Sequence, residues 1–146
     1  MGEATHKRVD LAVEQLGDAL RLFLDEQRYA SALTLAGAAE EVLGRAVEHG
    51  GGTSNLQWKF SKVAQVDQAL FGKPLKWSEF VDEENAARNA LKHMREPDEH
   101  TLDTDLEMAA VWMLVRACDN YRRLGLEETE EMGRFTGWFY ENVVGI

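Results

Sequence analysis

The stretch YASALTLAGAAEEVLGRAVEHG, residues 29–50, decides how the rest of the chain is read. It is dense in alanine and leucine, contains no proline, and runs unbroken until Gly50-Gly51-Gly52 ends it. Such a segment is a helix over about 28–49. Gly37, set among Ala36, Ala38 and Ala39, is expected to permit close helix packing, with a ligand role as the minor reading. Helical spacing recurs on both sides. Val9, Val13, Leu16, Leu20, Phe23 and Leu24 predict a helix over 6–26, and Leu56, Phe60, Val63, Val66 and Leu70 one over 55–71, broken by Gly72 and Pro74. A fourth helix is expected over 76–94, closed by the acidic loop REPDEH with Pro97. A fifth covers 105–124, with Thr104 and Glu107 as its capping box, and a sixth covers 127–143. No segment alternates with period two for long enough to argue a strand. The expectation is an all-α antiparallel bundle of five to six helices in one domain, residues 1–146, with a core at 6–124 and a helical extension at 125–146.

Composition narrows the classes of function. At 45% hydrophobic, the 146 residues can bury an ordinary core without staples. A single cysteine, Cys118, leaves no disulfide framework and no cysteine zinc site. No apolar stretch follows the charges of MGEATHKR, and AAVWMLV, 109–115, is far too short to span a bilayer. A cytoplasmic location and no membrane partner are expected. Sixteen basic against twenty-six acidic residues give a net charge of −10, which works against non-specific nucleic-acid binding.

Against that background ENAARNALKHM, residues 84–94, stands out. At ~100° per residue Phe80, Ala87, Leu91 and Met94 fall within ~60° of one another and define the core face. Asn85, Asn89 and His93 form a stripe nearly opposite, with Arg88 on the flank between. Asparagine is a mediocre helix former, so a face chosen for solubility alone would favour Glu, Lys or Gln. Residues 85–95 carry Arg88, Lys92 and Arg95 and no acid, between Asp82-Glu83-Glu84 and Glu96, Asp98 and Glu99. A phosphate would be welcome there. Glu84, one turn before Arg88, offers a competing surface ion pair, and the plain reading of the stripe is a solvated helix face.

Arg88 to His93, R-N-A-L-K-H, resembles the motif of the HEPN superfamily, an arginine followed by a polar residue and, four to six positions on, a histidine. ASALTLAGAAEEVLGRAV also resembles the alanine-rich early helix with an acidic pair in such domains, and the likeness spans about 6–124. The resemblance implies a small helical bundle and, in many members, metal-independent endoribonuclease activity shared across a homodimer, in a toxin or defence setting with an antitoxin or other protein partner. Carried onto this chain, His93 becomes the general acid/base for 2′-hydroxyl attack. Arg88 stabilises charge on the phosphate and Asn89 orients the phosphate or the histidine; Lys92 and Arg95, from the acid-free basic window, are expected to extend the RNA contact. No metal or cofactor is implied. The alternative is a non-catalytic helical dimerisation or protein-interaction module in which the same stripe is a contact surface.

A carboxylate–histidine metal site is the rival from another class. Glu40, Glu41, Glu48, His49, Glu83, Glu84 and His93 supply ligand types, but the inward Glu-x-x-His of di-iron bundles is matched only by Glu3–His6 near the N-terminus. Trp58, Trp77, Trp112 and Trp138 read as core or interface anchors. Arg116, Arg122 and Arg123 make a small basic patch on the fifth helix, and Glu127, Glu128, Glu130 and Glu131 a solvated helix start.

Overall fold

The computed structural model describes residues 1–146 and contains helices but no strand. The helices are α1 (Arg8–Glu26), α2 (Tyr29–His49), α3 (Asn55–Phe71), α4 (Trp77–Glu84), α5 (Ala86–Ala90), α6 (Leu106–Arg123) and α7 (Glu130–Phe139). A 3-10 turn lies at Pro97–His100 and a π-helical turn at Tyr140–Val144. No helix is long and apolar enough to cross a membrane. The all-α bundle expected from periodicity is what the chain forms.

α2 is the hub, packed along most of its length against both α1 and α6. Small residues let it sit there: Ala32, Ala36 and Ala39 are fully buried beside Leu33 and Leu43. The α1–α2 link is two residues, so this pair runs antiparallel. Gln27 adopts a left-handed backbone (φ 51°) and Arg28 N–H closes back onto Leu22 O at 3.0 Å. α2 and α6 run parallel instead. Tyr29 bonds Glu107, Glu40 meets Arg116, and Asn120 bonds Glu40 O. The chain crosses between them through α3, α4 and α5, which returns it to the starting end of the bundle. α7 closes the far side of α1, where Phe23 meets Phe135 and Trp138 edge-on at 5.7 and 4.7 Å. Arg21–Glu131 and Arg134–Asp25 ion pairs flank that contact.

Caps fix the helix starts. Ser54 opens α3 with a capping box, accepting from Gln57 N–H while Gln57 Oε1 accepts from Ser54 N–H. α6 is capped by Asp105, which accepts from Met108 N–H at 2.9 Å, one residue later than the Thr104–Glu107 box read from sequence.

The expected helix over 76–94 is broken. Asn85 leaves helical geometry (φ −104°, ψ 4°), separating α4 from α5, and the chain turns at Leu91–Lys92. Glu84 O, the acceptor for Arg88 N–H in an unbroken helix, accepts from Arg116 Nη1 at 3.1 Å instead, and Asn85 Oδ1 accepts from the same nitrogen at 3.0 Å. A buried arginine on α6 therefore captures the turn. The correction to the helical wheel follows from this break. Asn85 points into the protein, separate from Asn89 and His93, while Met94, assigned to the core face, is exposed.

Candidate functional site

Asn85, Arg88, Glu40, Arg116, Asn120, Ser54 and Asn55 are all buried and form a polar seam between α2, α4, α5 and α6. Two glycines make room for it. A Cβ on Gly37 would lie 2.3 Å from Arg88 Cδ, and one on Gly44 would lie 3.0 Å from Asn120 Nδ2. The Arg88 stem thus lies across the face of Gly37, and Asn120 nests against Gly44. The close approach anticipated at Gly37 is by a side chain rather than a helix backbone.

Charge is balanced around Glu40. Arg116 Nη2 stands 2.9 Å from Glu40 Oε1, close enough for an ion pair although not aligned as a hydrogen bond. Arg88 Nη1 lies 3.9 Å from Glu40 Oε2 and 3.6 Å from Glu41 Oε2, and donates to Gly37 O at 3.4 Å. The Nε groups of both arginines are buried without an acceptor. Charges this buried are costly unless paired, so the seam holds α2, α5 and α6, which carry these charges, in one arrangement. Asn120 completes it by donating to Glu40 O at 3.2 Å and accepting from Asn55 N–H at 2.8 Å, which ties the start of α3 to α6.

This seam borders a cavity of about 170 Å³ whose wall includes Glu40, Glu41, Glu48, Arg45, Asn85 and Arg88. With three carboxylates against two arginines it repels a phosphate more than it attracts one. Glu84 does not pair with Arg88, as its sequence spacing suggested, but with Lys59 at 2.7 Å.

Asn89 and His93 open elsewhere. They share a shallow cavity of about 450 Å³ with Asp82, Ala86, Ala90, Arg95 and Glu99, and Arg88 does not reach it. Lys92, His93 and Arg95 are exposed. Glu99 accepts from the backbone N–H groups of Glu96 and Arg95, which holds its carboxyl below the usual range and fixes the loop beside His93. Within one chain the structure therefore brings Asn89, His93 and Arg95 together and keeps Arg88 apart.

The remaining sequence candidates also move. Arg116 is buried in the seam, Arg122 pairs with Glu128, and Arg123 pairs with Asp119 while lying over the Trp58 ring, so the basic patch on α6 is neutralised. No three His, Cys, Asp or Glu side chains converge as metal ligands, and Glu40, one of the carboxylates of the rival metal reading, faces the arginines. Trp138 packs on Phe23, whereas Trp58, Trp77 and Trp112 are about half exposed. Sequence reasoning missed Asn55, Asn85 and Asn120 as members of the seam. The available signal was asparagine inside or at the edge of helices, where it is disfavoured unless its amide is used.

No family model, curated protein or solved structure matches the chain.

Proposed function

We propose that this chain is a HEPN-like helical interaction domain that works as a homodimer, with Arg88 serving the fold and the Asn89–His93–Arg95 surface serving the contact. The observation that carries this reading is the position of Arg88. The two segments bearing the resemblance, ASALTLAGAAEEVLGRAV and RNALKH, meet in space, with Arg88 lying over Gly37 and against the Glu40–Glu41 pair. That meeting supports a HEPN-like arrangement. It also commits the guanidinium to carboxylates of its own chain, away from His93.

The second reading is metal-independent RNA cleavage, in which His93 supplies the general acid/base and Asn89, Lys92 and Arg95 hold the backbone. It is favoured by one feature, the exposure of His93 in a cavity it shares with Asn89 and Arg95. The cations at that phosphate are then Lys92 and Arg95, because Arg88 is engaged by Glu40 and Glu41.

One experiment separates them. Labelled single-stranded RNA is incubated with the protein in EDTA, alongside His93→Ala, and the oligomeric state of both is measured by light scattering. Intact RNA with a dimer weakened by His93→Ala supports the interaction module. Cleavage that survives EDTA and disappears in His93→Ala overturns it in favour of the nuclease.

A further inference from the structure

α3 is the anomaly of the fold. It is 17 residues long, about 25 Å, yet its only buried residue is Asn55 at its first position. Leu56, Phe60, Val63, Val66 and Leu70 lie on one helical face, and Phe71 flanks it. The near end of that face is used: Phe60 sits edge-on to Trp77 and Phe80 at 5.2 and 5.4 Å, which ties α3 to α4 as a hairpin arm. The far end is bare, with Val66, Leu70 and Phe71 at 54%, 69% and 68% exposure. A helix this short gains little from propensity alone, so an apolar face left in water does not hold it folded.

The α3 side of the arm differs from the rest of the molecule in charge as well. Residues 55–76 carry Lys59, Lys62, Lys73 and Lys76 against Asp67, a net +3, which leaves −13 on the remainder of a chain of net −10, with Glu79, Asp82, Glu83 and Glu84 on α4 itself. Lys59 and Lys76 have partners in Glu84 and Glu79, while Lys62 and Lys73 form no ion pair. The complementary surface is on the same chain. Residues 96–107 contain six acids, Glu96, Asp98, Glu99, Asp103, Asp105 and Glu107, and no Lys or Arg. Met94 and Leu102 stand exposed at their edge.

We infer that the α3–α4 arm docks on the acidic 94–107 surface of a second copy, and that the exchange is reciprocal. Apolar face meets Met94 and Leu102, and unpaired lysines meet carboxylates. Reciprocity gives a closed two-fold dimer with self-complementary contacts. The docked arm covers the cavity of Asn89 and His93, so the inference rests on the interaction-module reading and names the element that fills that surface. A nucleic acid would meet two exposed tryptophans and lysines on the arm but four acids on α4 and −13 on the chain outside 55–76, which disfavours it.

Sedimentation velocity on the full chain over a concentration series tests the inference. Wild type is expected to be dimeric, and Leu70→Glu with Phe71→Glu to weaken association by about 100-fold or more, because each places a charge in a dry contact. Both side chains are exposed, so the circular dichroism melt of the variant checks that the monomer still folds. Lys62→Glu with Lys73→Glu weakens the dimer, and adding Asp98→Lys with Asp103→Lys restores it. A monomeric wild type overturns the inference, as does a monomer that binds single-stranded RNA through the arm. A dimer that ignores the arm variants but dissociates in His93→Ala overturns the arm alone and leaves the interaction-module reading standing. Arm variants that dissociate without rescue by the charge exchange overturn the assignment of the acidic surface.

Discussion

Gly37→Ala adds one methyl group at the most crowded point of the polar seam. The new Cβ would stand 2.3 Å from Arg88 Cδ and 2.9 Å from Arg88 Cγ. These are atoms of the middle of the stem, so Arg88 has to leave its place over α2, losing Gly37 O and its position between Glu40 and Glu41. Overpacking of this kind costs about 1–3 kcal/mol, and alanine returns up to about 1 kcal/mol of helix propensity. The expected net loss is about 1.5 kcal/mol, or roughly 5 °C in melting temperature for a chain of this size. Urea and thermal melts followed by circular dichroism measure it. The decisive comparison is the same substitution in an Arg88→Ala background. There the stem is gone, the methyl has space, and Gly37→Ala is expected to be neutral or stabilising by up to about 1 kcal/mol. An equal loss in both backgrounds, or a gain in the wild-type background, would refute the account of Gly37 as the seat of Arg88.

Three further outcomes follow from the same geometry. Glu40→Gln leaves Arg88 and Arg116 buried without their shared carboxylate and should cost about 3 kcal/mol in urea unfolding; a loss under about 1 kcal/mol would show that the seam contributes no such pairing. Asn120→Ala orphans the buried Asn55 N–H and removes the tie between α3 and α6, so hydrogen exchange is expected to accelerate in α3 before α2, at a cost of about 1–3 kcal/mol. Acid should loosen the α1–α7 contact and the 95–99 loop. The Arg134 guanidinium holds Asp25 below the usual carboxylate range, and backbone N–H groups do the same for Glu99. A depressed carboxyl stabilises the fold above its ordinary value and loses that contribution as pH falls through the lowered one. Amide exchange in these two segments should therefore rise only below the ordinary range, and a rise near neutrality would contradict the assignment.

Much of the bundle could be read from one dimension because apolar periodicity is a local property. Val9 to Leu24 and the alanine-rich stretch of α2 announce their helices through spacing and propensity, and Gly50-Gly51-Gly52 and Pro74 announce ends. The α2–α6 pairing direction was not local, since it depends on where 56 residues of intervening chain deliver the start of α6. The site was legible only in part. The wheel over 76–94 assumed an unbroken helix through Asn85, so the angle of every later residue to Phe80 inherited that assumption, and Asn85 left the stripe it shared with Asn89 and His93.

Residue types and their spacing, by themselves, determined that this protein is helical, that α2 is an alanine-rich helix ended by Gly50-Gly51-Gly52, and that 84–94 sets Asn85, Arg88, Asn89 and His93 close together in the chain. Tertiary structure alone decided which of those polar groups are inside. Arg116, 31 residues beyond Asn85, takes the Glu84 carbonyl and the Asn85 amide and so ends α4. A buried guanidinium needs acceptors more than one helical turn needs its hydrogen bonds. That contest separates Asn85 from Asn89 and His93, and no window of sequence around those residues contains the group that settles it.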